Sequence, residues 1–473
     1  MEKALKPFII CILLIIFNIN QNASANDIAD KNGLGPQSKQ AIGQKNLLIV
    51  VVRFPDAAPA VPIESIRKKA VSAFSAYLVE QSYGLASINA DFRGYVMLPD
   101  ALSAYKVSPY NNQVDSAKVR KLVEDTMTAV ESEVDFSLYD HMLIIPAVNT
   151  TFGTGYGMVC YCANPGMLTP IQKKKDKFQS AGRVGKYETV RSKGGKEFRG
   201  GVFVGAENAN LGMFAHDYFH ALGGLYEGRR FAPCLYDYEF QSNTSAEWPK
   251  NEFYSHISIY MGPWDIMSQH FVKPGTPPPG ISSFTKIRLG WIGDDQIQAV
   301  KPGETSLSFL SPLSRGGELL VVMIPVDKDT YYLIENRQQE GFDKTLPDSG
   351  ILILEVKLMP DDGHGPVRVK KAVNSDTFDK ATYKLEAGGR NAFVDGENNV
   401  AVIPLWKEKD NLGVLVTTPN LVESVVKAAL AIQELIDKNK AKSSKETETA
   451  IDTAIAAFKN NDFEKSYAIA ASK

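Results

Sequence analysis

The run NLLIVVVRF at positions 46–54 constrains the fold of this chain more than any other stretch. Leu, Ile and Val fill every position from Leu47 to Val52, so both faces of a strand formed there are apolar. Such a strand is stable only where both faces are covered, as in the sheet of an α/β protein. The run therefore predicts that a buried sheet begins at this point.

Helical and extended patterns alternate after this run. Apolar residues recur at helical spacing over 66–78, and Gly84 ends that helix. An alternating strand at 88–92 follows, and then an amphipathic helix over 119–130. That helix leads into an apolar strand at 141–146. We expect these elements to form one α/β unit.

Composition divides the chain into three parts after its N-terminal segment. Residues 46–299 are expected to form the α/β unit, with a Lys-, Gly- and Ser-rich surface insertion at 151–200. Short alternating segments between Gly, Pro and Asp predict a β-rich domain at 300–418. Residues 419–473 predict a helical tail in which Asp462 caps a third, short helix. We expect the tail to serve packing or docking rather than catalysis.

The first residues indicate secretion. Lys3 and Lys6 precede an unbroken apolar run, Phe8–Phe17, and small residues up to Ala25 suit a signal-peptide cleavage site. A membrane anchor is the alternative, but about ten apolar residues are too few, because a helix needs roughly twenty to cross a bilayer. We therefore expect cleavage after Ala25, a polar leader at 26–45, and a secreted protein with no membrane span.

Charge argues against one class of partner. The chain has 52 basic and 54 acidic residues and a formal net charge of −2, so no overall field attracts nucleic acid or an anionic membrane. With 44% hydrophobic residues it is able to bury large cores and is expected to be globular. We expect no nucleic-acid partner.

The cysteines are too few to form the framework of the fold. Once the signal peptide is removed, Cys160, Cys162 and Cys234 remain, and an odd number permits at most one disulfide. Cys160 and Cys162 are too close in sequence to pair comfortably with each other. A cysteine-ligated zinc site needs a fourth partner and better spacing, so the sequence does not predict one.

Two histidines are the strongest chemical signal in the sequence. His216 and His220 lie four residues apart and therefore on one face of a helix, where both imidazoles can reach one ion. Gly223 and Gly224 then end the helix and let the chain fold back. The alternative is a metal-free helix with both rings hydrogen-bonded in the core. No partner at ligand spacing exists for the other histidines, which receive no role in the site: His141, His256, His270 and His364.

A compact turn containing a methionine, Gly262–Ser268, follows the histidines by about forty residues. In zinc proteases of the metzincin type, such a turn places the side chain of a residue like Met267 beneath the histidines. Together with these two motifs, further stretches in the same order resemble the immune inhibitor A family of secreted zinc metalloproteases. The similar stretches lie between about 46 and 358, at 46–56, 81–88, 94–99, 134–141, 214–227, 262–268, 286–292, 332–337 and 341–343.

The resemblance implies a zincin-like catalytic domain and a secreted zinc-dependent endopeptidase that hydrolyses the peptide bonds of a protein or peptide substrate. His216 and His220 take the two histidine ligand positions, and the residue after the first histidine takes that of the general base. The family has Glu there, whereas this chain has Asp217. Aspartate is one methylene shorter, which holds its carboxylate roughly 1.5 Å nearer the backbone. Loss of a positioned general base costs about 10² to 10⁴ in rate.

The third ligand implied by the family is an Asp a few residues after the helix, and this chain departs from that pattern too. By strict counting Tyr226 occupies the position, whereas matching the Leu-Tyr-acid ending selects Glu227. We favour Glu227, because carboxylates are ordinary zinc ligands and a neutral phenol is a poor one. Asp237 and Glu239 are possible substitutes from the following loop.

Two further expectations follow from the resemblance and from the departures. Structural Ca²⁺ is implied beside the Zn²⁺, and the acidic loop with Asp361 and Asp362 is available for it, although no dedicated calcium loop is present by spacing. Because Asp217 and the third ligand position depart from the family pattern, a second function is considered. The chain would then be a catalytically impaired pseudoprotease that acts as an extracellular binding module through its β-rich domain or tail. A cell-surface protein assembled through the tail is a third possibility.

Overall fold

The computed structural model describes residues 33–107, 114–150, 155–169, 185–237, 260–273, 275–358, 360, 362–374 and 377–473. The expected signal peptide, the start of the polar leader and the lysine run at 173–177 lie outside these ranges. So do Glu239, His256 and Asp361.

The strands of the described residues, in chain order, are β1 (Gly43–Arg53), β2 (Ala86–Met97), β3 (His141–Pro146), β4 (Cys160–Asn164), β5 (Val190–Arg191), β6 (Glu197–Phe198), β7 (Gly201–Gly205), β8 (Leu225–Tyr226), β9 (Arg229–Arg230), β10 (Ile297–Ala299), β11 (Ser306–Leu310), β12 (Val321–Pro325), β13 (Thr330–Arg337), β14 (Gly350–Lys357), β15 (Val367–Val369), β16 (Phe393–Asp395), β17 (Val400–Glu408) and β18 (Asn411–Thr417).

The helices, in chain order, are α1 (Ile63–Arg67), α2 (Phe74–Gln81), α3 (Ser116–Val130), α4 (Leu211–Gly223), α5 (Ser283–Arg288), α6 (Val422–Ala441), α7 (Lys445–Lys459) and α8 (Phe463–Ala471). A π-helical segment, Lys68–Ala73, joins α1 to α2, so the helix predicted over 66–78 is continuous. No helix in the described ranges combines the length and the apolarity needed to cross a bilayer.

The first sheet has the strand order β2-β1-β3-β7-β4. Strand β1 pairs in parallel with β2 and β3, and β3 pairs in parallel with β7. Only β4, at one edge of this sheet, is antiparallel to its neighbour β7. Helix α4, which carries the histidine pair, lies against β7 and β4. The predicted mixed α/β arrangement of this region is confirmed.

Both faces of β1 are covered, as the sequence predicted. The side chains at 47, 49 and 51 belong to the main core, on the same face of the sheet as α4. Those at 48, 50 and 52 pack on the opposite face with α3. Successive side chains of a strand point to opposite faces, so an apolar run fills both cores at once.

The region from β10 (Ile297–Ala299) onward forms two further sheets. Their strand orders are β10-β12-β13-β14-β15 and β11-β18-β17-β16. Along β13, Tyr331 and Leu333 pack into the main core, whereas Tyr332 and Ile334 fill the core between these two sheets. The main core is therefore shared by side chains from both sides of the predicted domain boundary.

The C-terminal helices pack on the outer face of the third sheet. Trp406 of β17 meets Phe458 of α7 edge-on, with ring centroids 5.0 Å apart. Asp462 caps α8 by accepting a hydrogen bond from the backbone N–H of Lys465 at 3.2 Å, as predicted. The predicted helical tail is present and buries an apolar face of its own against the sheet.

Candidate metal centre

Helix α4 places both histidines in the interior. Asn210 caps its start, since the side-chain oxygen accepts a hydrogen bond from the N–H of Gly212 at 2.8 Å. Gly224 ends it with φ = 75°, a left-handed conformation that favours glycine. Every residue from Phe214 to Gly223 is buried, so this helix has no solvent-facing side in its second half.

Two backbone carbonyls fix the orientation of the imidazole rings. Nδ1 of His216 lies 2.9 Å from the carbonyl oxygen of Ile266, and Nδ1 of His220 lies 2.7 Å from that of Ala232. A carbonyl only accepts, so Nδ1 carries the proton in each neutral ring and Nε2 carries a lone pair. This tautomer is the one that metal-ligating histidines adopt when a carbonyl holds the other nitrogen.

Three donor atoms converge at this point. Nε2 of His216 and Nε2 of His220 lie 3.1 Å apart, and Sγ of Cys234 lies 3.4 Å from the first and 3.2 Å from the second. All three residues are 1–2% exposed. Zn–N bonds of about 2.0–2.1 Å and a Zn–S bond of about 2.3 Å in tetrahedral geometry separate such donors by roughly 3.3–3.6 Å. The cluster of His216, His220 and Cys234, called the donor triad below, therefore fits a metal ion.

The electrostatic surroundings keep the imidazoles neutral. Burial lowers the pKa of His216 and that of His220 well below the usual range. The neighbouring ring of His270 lowers the pKa of His216 further, and the charge of Arg230 does so for His220. Neutral rings are the form that binds metal, because a protonated Nε2 has no lone pair to give.

The turn at 262–268 lies against the donor triad, where the sequence predicted it. One of its carbonyls accepts the hydrogen bond from the His216 ring described above. The next carbonyl, that of Met267, accepts a hydrogen bond from the N–H of Leu235 at 2.8 Å and so holds the segment that follows Cys234. The side chain of Met267 is fully buried in the main core. The turn thus positions donors from two different segments.

A buried carboxylate stiffens this turn. Oδ2 of Asp265 accepts hydrogen bonds from the hydroxyls of Ser282 and Thr285, both at 2.6 Å. Its Oδ1 accepts from the N–H of Met267 at 2.8 Å. Asp265 is fully buried, so these hydrogen bonds replace the water that its charge loses on folding. The site is built on a rigid support.

Asp217, the predicted base, lies beside the donor triad and not in it. Its side chain is 5% exposed and lies against the Cys160 thiol and the Cys162 N–H of β4. Burial raises its pKa to about 7, and the Cys160 thiol, the charge of Arg230 and the Cys162 N–H oppose this rise. Oδ2 makes no hydrogen bond within the described residues. One carboxylate oxygen is therefore available to a proton.

Glu227, the predicted third ligand, does not reach the histidines. After α4 the chain forms a hairpin in which Leu225 and Tyr226 pair with Arg230 and Arg229. Glu227 sits in the turn of this hairpin with φ = 47° and is exposed. The hairpin points the acid outward and returns the chain to the helix seven residues later, where Cys234 supplies a sulfur instead. The sequence did not predict a cysteine at this point, whereas Sγ of Cys234 lies within 3.4 Å of both histidine Nε2 atoms.

The other candidates for the third ligand have different partners. The hydroxyl of Tyr226 accepts a hydrogen bond from Nη2 of Arg288 at 2.9 Å. A carboxylate oxygen of Asp237 accepts one from the hydroxyl of Tyr260 at 2.8 Å. Neither belongs to the donor triad, which is the one group of its kind in the described part of the chain.

His270, for which no role was predicted, belongs to the surroundings of the site. Its ring meets that of His216 edge-on, with centroids 4.6 Å apart and an interplanar angle of 86°. Its Nε2 is buried and has no hydrogen-bond partner among the residues described. His270 lies in the segment that follows the turn at 262–268, so the fold brings it to the site from a distant part of the chain.

Of the two acids in the loop expected to bind calcium, the structure describes only Asp362, and its carboxylate binds other groups of the chain. Asp362 is buried and ion-paired with Arg230, at 3.2 Å, and it also accepts a hydrogen bond from the N–H of Cys234. The carboxylate thereby fixes the backbone that carries the third donor. Structural calcium stays a prediction from the resemblance.

Neither any family model nor any curated protein matches this chain. The likeness to the immune inhibitor A family thus rests on the residues themselves, and the donor triad rests on geometry.

Proposed function

We propose that this chain is a secreted zinc-dependent endopeptidase of the immune inhibitor A type, with His216, His220 and Cys234 holding the metal. The donor triad carries this proposal. Two unprotonated nitrogens only 3.1 Å apart have no hydrogen bond to share, and a cation between them removes their repulsion. Imidazole and thiolate together favour zinc over the hard, oxygen-loving cations.

Zinc, when bound, supplies a Lewis acid that polarises a carbonyl and acidifies a water. The chain's own residues supply the rest of the chemistry. His216 and His220 present neutral rings through their carbonyl-bound Nδ1 atoms. Asp217, next to His216 on α4, would accept the proton of the attacking water at its unbonded Oδ2 and return it to the leaving amine.

The substrate class follows from the resemblance, in which similar stretches keep their order over about 46–358. A peptide bond is cleaved when water adds to its carbonyl carbon and the C–N bond breaks, with the proton passing to the amine. A single carboxylate beside the metal is sufficient for both proton transfers, as base first and acid afterwards.

A second candidate, a pseudoprotease that binds zinc without turnover, is favoured by two observations. The short side chain of Asp217 lies against β4, where Cys160 and Cys162 face its carboxylate. The donors of the triad are 1–2% exposed, as in a closed structural site rather than one with an open position. In this case zinc would stabilise the fold, and a partner would bind elsewhere.

Digestion of fluorescently labelled casein by the mature, zinc-loaded chain tests the proposal. We compare the native chain with Asp217→Asn, which keeps the shape of the side chain but is a poor base, and with Asp217→Glu, which restores the length found in the family. Zinc content is measured on every sample, so that metal loss is not mistaken for loss of the base.

Cleavage by the native chain that Asp217→Asn abolishes at full zinc content supports the endopeptidase. Cleavage by Asp217→Glu alone, or by none of the zinc-loaded chains, supports the pseudoprotease. Native protein that takes up no zinc contradicts both candidates.

A further inference from the structure

A cavity of about 170 Å³ lies beside the β8–β9 hairpin, and no residue of the donor triad lines it. The hairpin, α5 and the end of β14 contribute to its walls. Its volume is several times the roughly 30 Å³ that one water occupies in the liquid, which suits one small molecule with some hydration. The cavity, called the basic pocket below, is distinct from the metal site but shares a wall with it, because Pro233 lines the pocket and precedes Cys234.

Cations dominate the lining of the basic pocket. The charged residues among its described walls are Arg229, Arg230, Arg288, Lys357 and Asp362. Four positive side chains thus face one carboxylate. Asp362 is already engaged by the Arg230 guanidinium and by the backbone N–H of Cys234, so it is not available to balance Arg288 or Lys357.

Arg288 is the central residue of the basic pocket. Its side chain is 4% exposed, and no carboxylate of the described chain lies within 4.0 Å of its guanidinium nitrogens. Nε donates to the carbonyl oxygen of Phe231 at 3.0 Å, and Nη2 donates to the hydroxyl of Tyr226 at 2.9 Å. A buried charge that has only neutral hydrogen-bond partners is costly. An anion in the pocket would remove this cost.

The remaining nitrogen of this guanidinium lies next to Gly35, and both residues line the basic pocket. The third nitrogen, Nη1, donates to no atom of the described chain, and it borders Gly35. A Cβ at Gly35 would stand 2.8 Å from Nη1, so the glycine keeps the approach to the guanidinium clear. The rings of Tyr226 and Phe284 flank the guanidinium carbon at 5.0 and 5.7 Å and hold it in place.

We propose that the basic pocket binds a small oxyanion, a carboxylate or a phosphate, with Arg288 as its principal ligand and Lys357 at the rim. Guanidinium groups present parallel N–H donors that match the two oxygens of such anions. Lys357 has a side chain 44% exposed and pairs only loosely with Glu355, at 3.9 Å, so its ammonium is free to approach the anion. Two sources share this chemistry, the C-terminal carboxylate of a peptide and free inorganic phosphate.

Calorimetric titration of the full mature chain with three probes tests the proposal. The probes are inorganic phosphate, an N-acetylated dipeptide with a free C-terminus, and the same dipeptide with an amidated C-terminus. We expect saturable binding of phosphate, of the free-acid peptide or of both, and none of the amide. Binding of phosphate alone would identify a phosphate site. Binding of the free-acid peptide would identify a site for peptide C-termini.

Variants locate the binding. Arg288→Gln is expected to weaken it by about tenfold or more, as for the loss of hydrogen bonds to a charged group. Lys357→Gln, a change at a half-exposed position that leaves the core intact, is expected to weaken it several-fold. Lys438→Gln on α6 is the matched control, because that lysine is 55% exposed and lies in the tail.

Absence of saturable binding of any probe, or equal affinity in Lys357→Gln and the native chain, would overturn the proposal. Lys357→Gln decides the question even if Arg288→Gln fails to fold. The measurement needs no turnover, so its failure would leave the proposed peptidase function untouched.

Discussion

Nε2 of His216 and Nε2 of His220 face each other at 3.1 Å, although each ring keeps its proton on the opposite nitrogen. Two such lone pairs repel in a buried site, where bulk solvent screens them little. Sγ of Cys234 adds a third electron-rich atom within 3.4 Å. A cation held between these atoms would remove the repulsion, so a bound metal and the fold are expected to stabilise each other.

Zinc should therefore raise the stability of the native chain. A ligand at 100 times its dissociation constant that binds only the folded state contributes about 2.7 kcal/mol to the free energy of unfolding. We expect the thermal midpoint to rise with added zinc and to fall with a chelator. In His220→Ala neither addition should shift it. Equal shifts in the variant and the native chain would place the stabilising ion elsewhere.

Cys234, and not Glu227, should determine zinc affinity. We expect Cys234→Ser to weaken zinc binding by more than the roughly 10- to 100-fold that loss of an outer hydrogen-bond partner costs, because it removes a direct donor. Glu227→Gln should leave affinity unchanged, since that side chain is exposed in a turn. Cys162→Ser is the matched buried-cysteine control. Competition with a chromophoric chelator measures the zinc affinity of the native chain and of these three variants. A large loss in Glu227→Gln would restore the carboxylate as ligand.

Acid should destabilise the fold through a histidine outside the site. Burial lowers the pKa of His141 to about 4, and Lys45 adds to this while Asp140 opposes it. In the unfolded chain this histidine has a pKa near 6.5, so between pH 6.5 and 4 it binds more protons there than in the folded chain. The stability present above pH 6.5 is therefore lost as the pH falls through this window. Lowering the pH from 7.5 to 5 should cost about 2 kcal/mol through this group.

Urea unfolding of the native chain and of His141→Leu at each pH isolates this effect. The difference in unfolding free energy between the two proteins should shift in favour of the variant as the pH falls. A difference that stays constant from pH 7.5 to 5 would show that His141 does not titrate in the fold as its burial requires.

A buried ion-pair network joins the second sheet to the turn beside the donor triad. Arg337, fully buried, pairs with Asp343 at 2.8 Å and Glu335 at 3.0 Å, and donates to the carbonyl of Trp264 at 2.9 Å. Arg337→Met strands two carboxylates in the core and should cost about 3–5 kcal/mol. Arg315→Met, at a 53% exposed surface pair, should cost less than about 1 kcal/mol. Similar urea midpoints for the two variants would contradict this view of the network.

The parts of the fold that short-range patterns determine could be predicted from the sequence. The two-sided apolar run of β1 required a covered sheet, and the spacing of His216 and His220 on a glycine-terminated helix required a shared face. Asp462 capped the last helix for the same local reason. In each case neighbouring residues carry the information, since side-chain direction follows a fixed period along a helix or strand.

The third donor could not be predicted, because it depends on how the chain returns to the helix. A hairpin with only two residues in each strand decides whether Glu227 or Cys234 meets the histidines, and such short strands leave little periodicity to detect. His270 was missed for a related reason. Its approach to His216 is a tertiary contact across 54 residues, which a spacing rule for local ligands does not cover.

Anomalous X-ray scattering at the zinc edge, on crystals grown with saturating zinc, tests the donor triad most directly. We expect one strong peak at about 2.0–2.1 Å from Nε2 of His216 and Nε2 of His220, and about 2.3 Å from Sγ of Cys234. An empty position between these atoms, or a zinc ion bound without Cys234, would contradict the metal centre on which the proposed function rests.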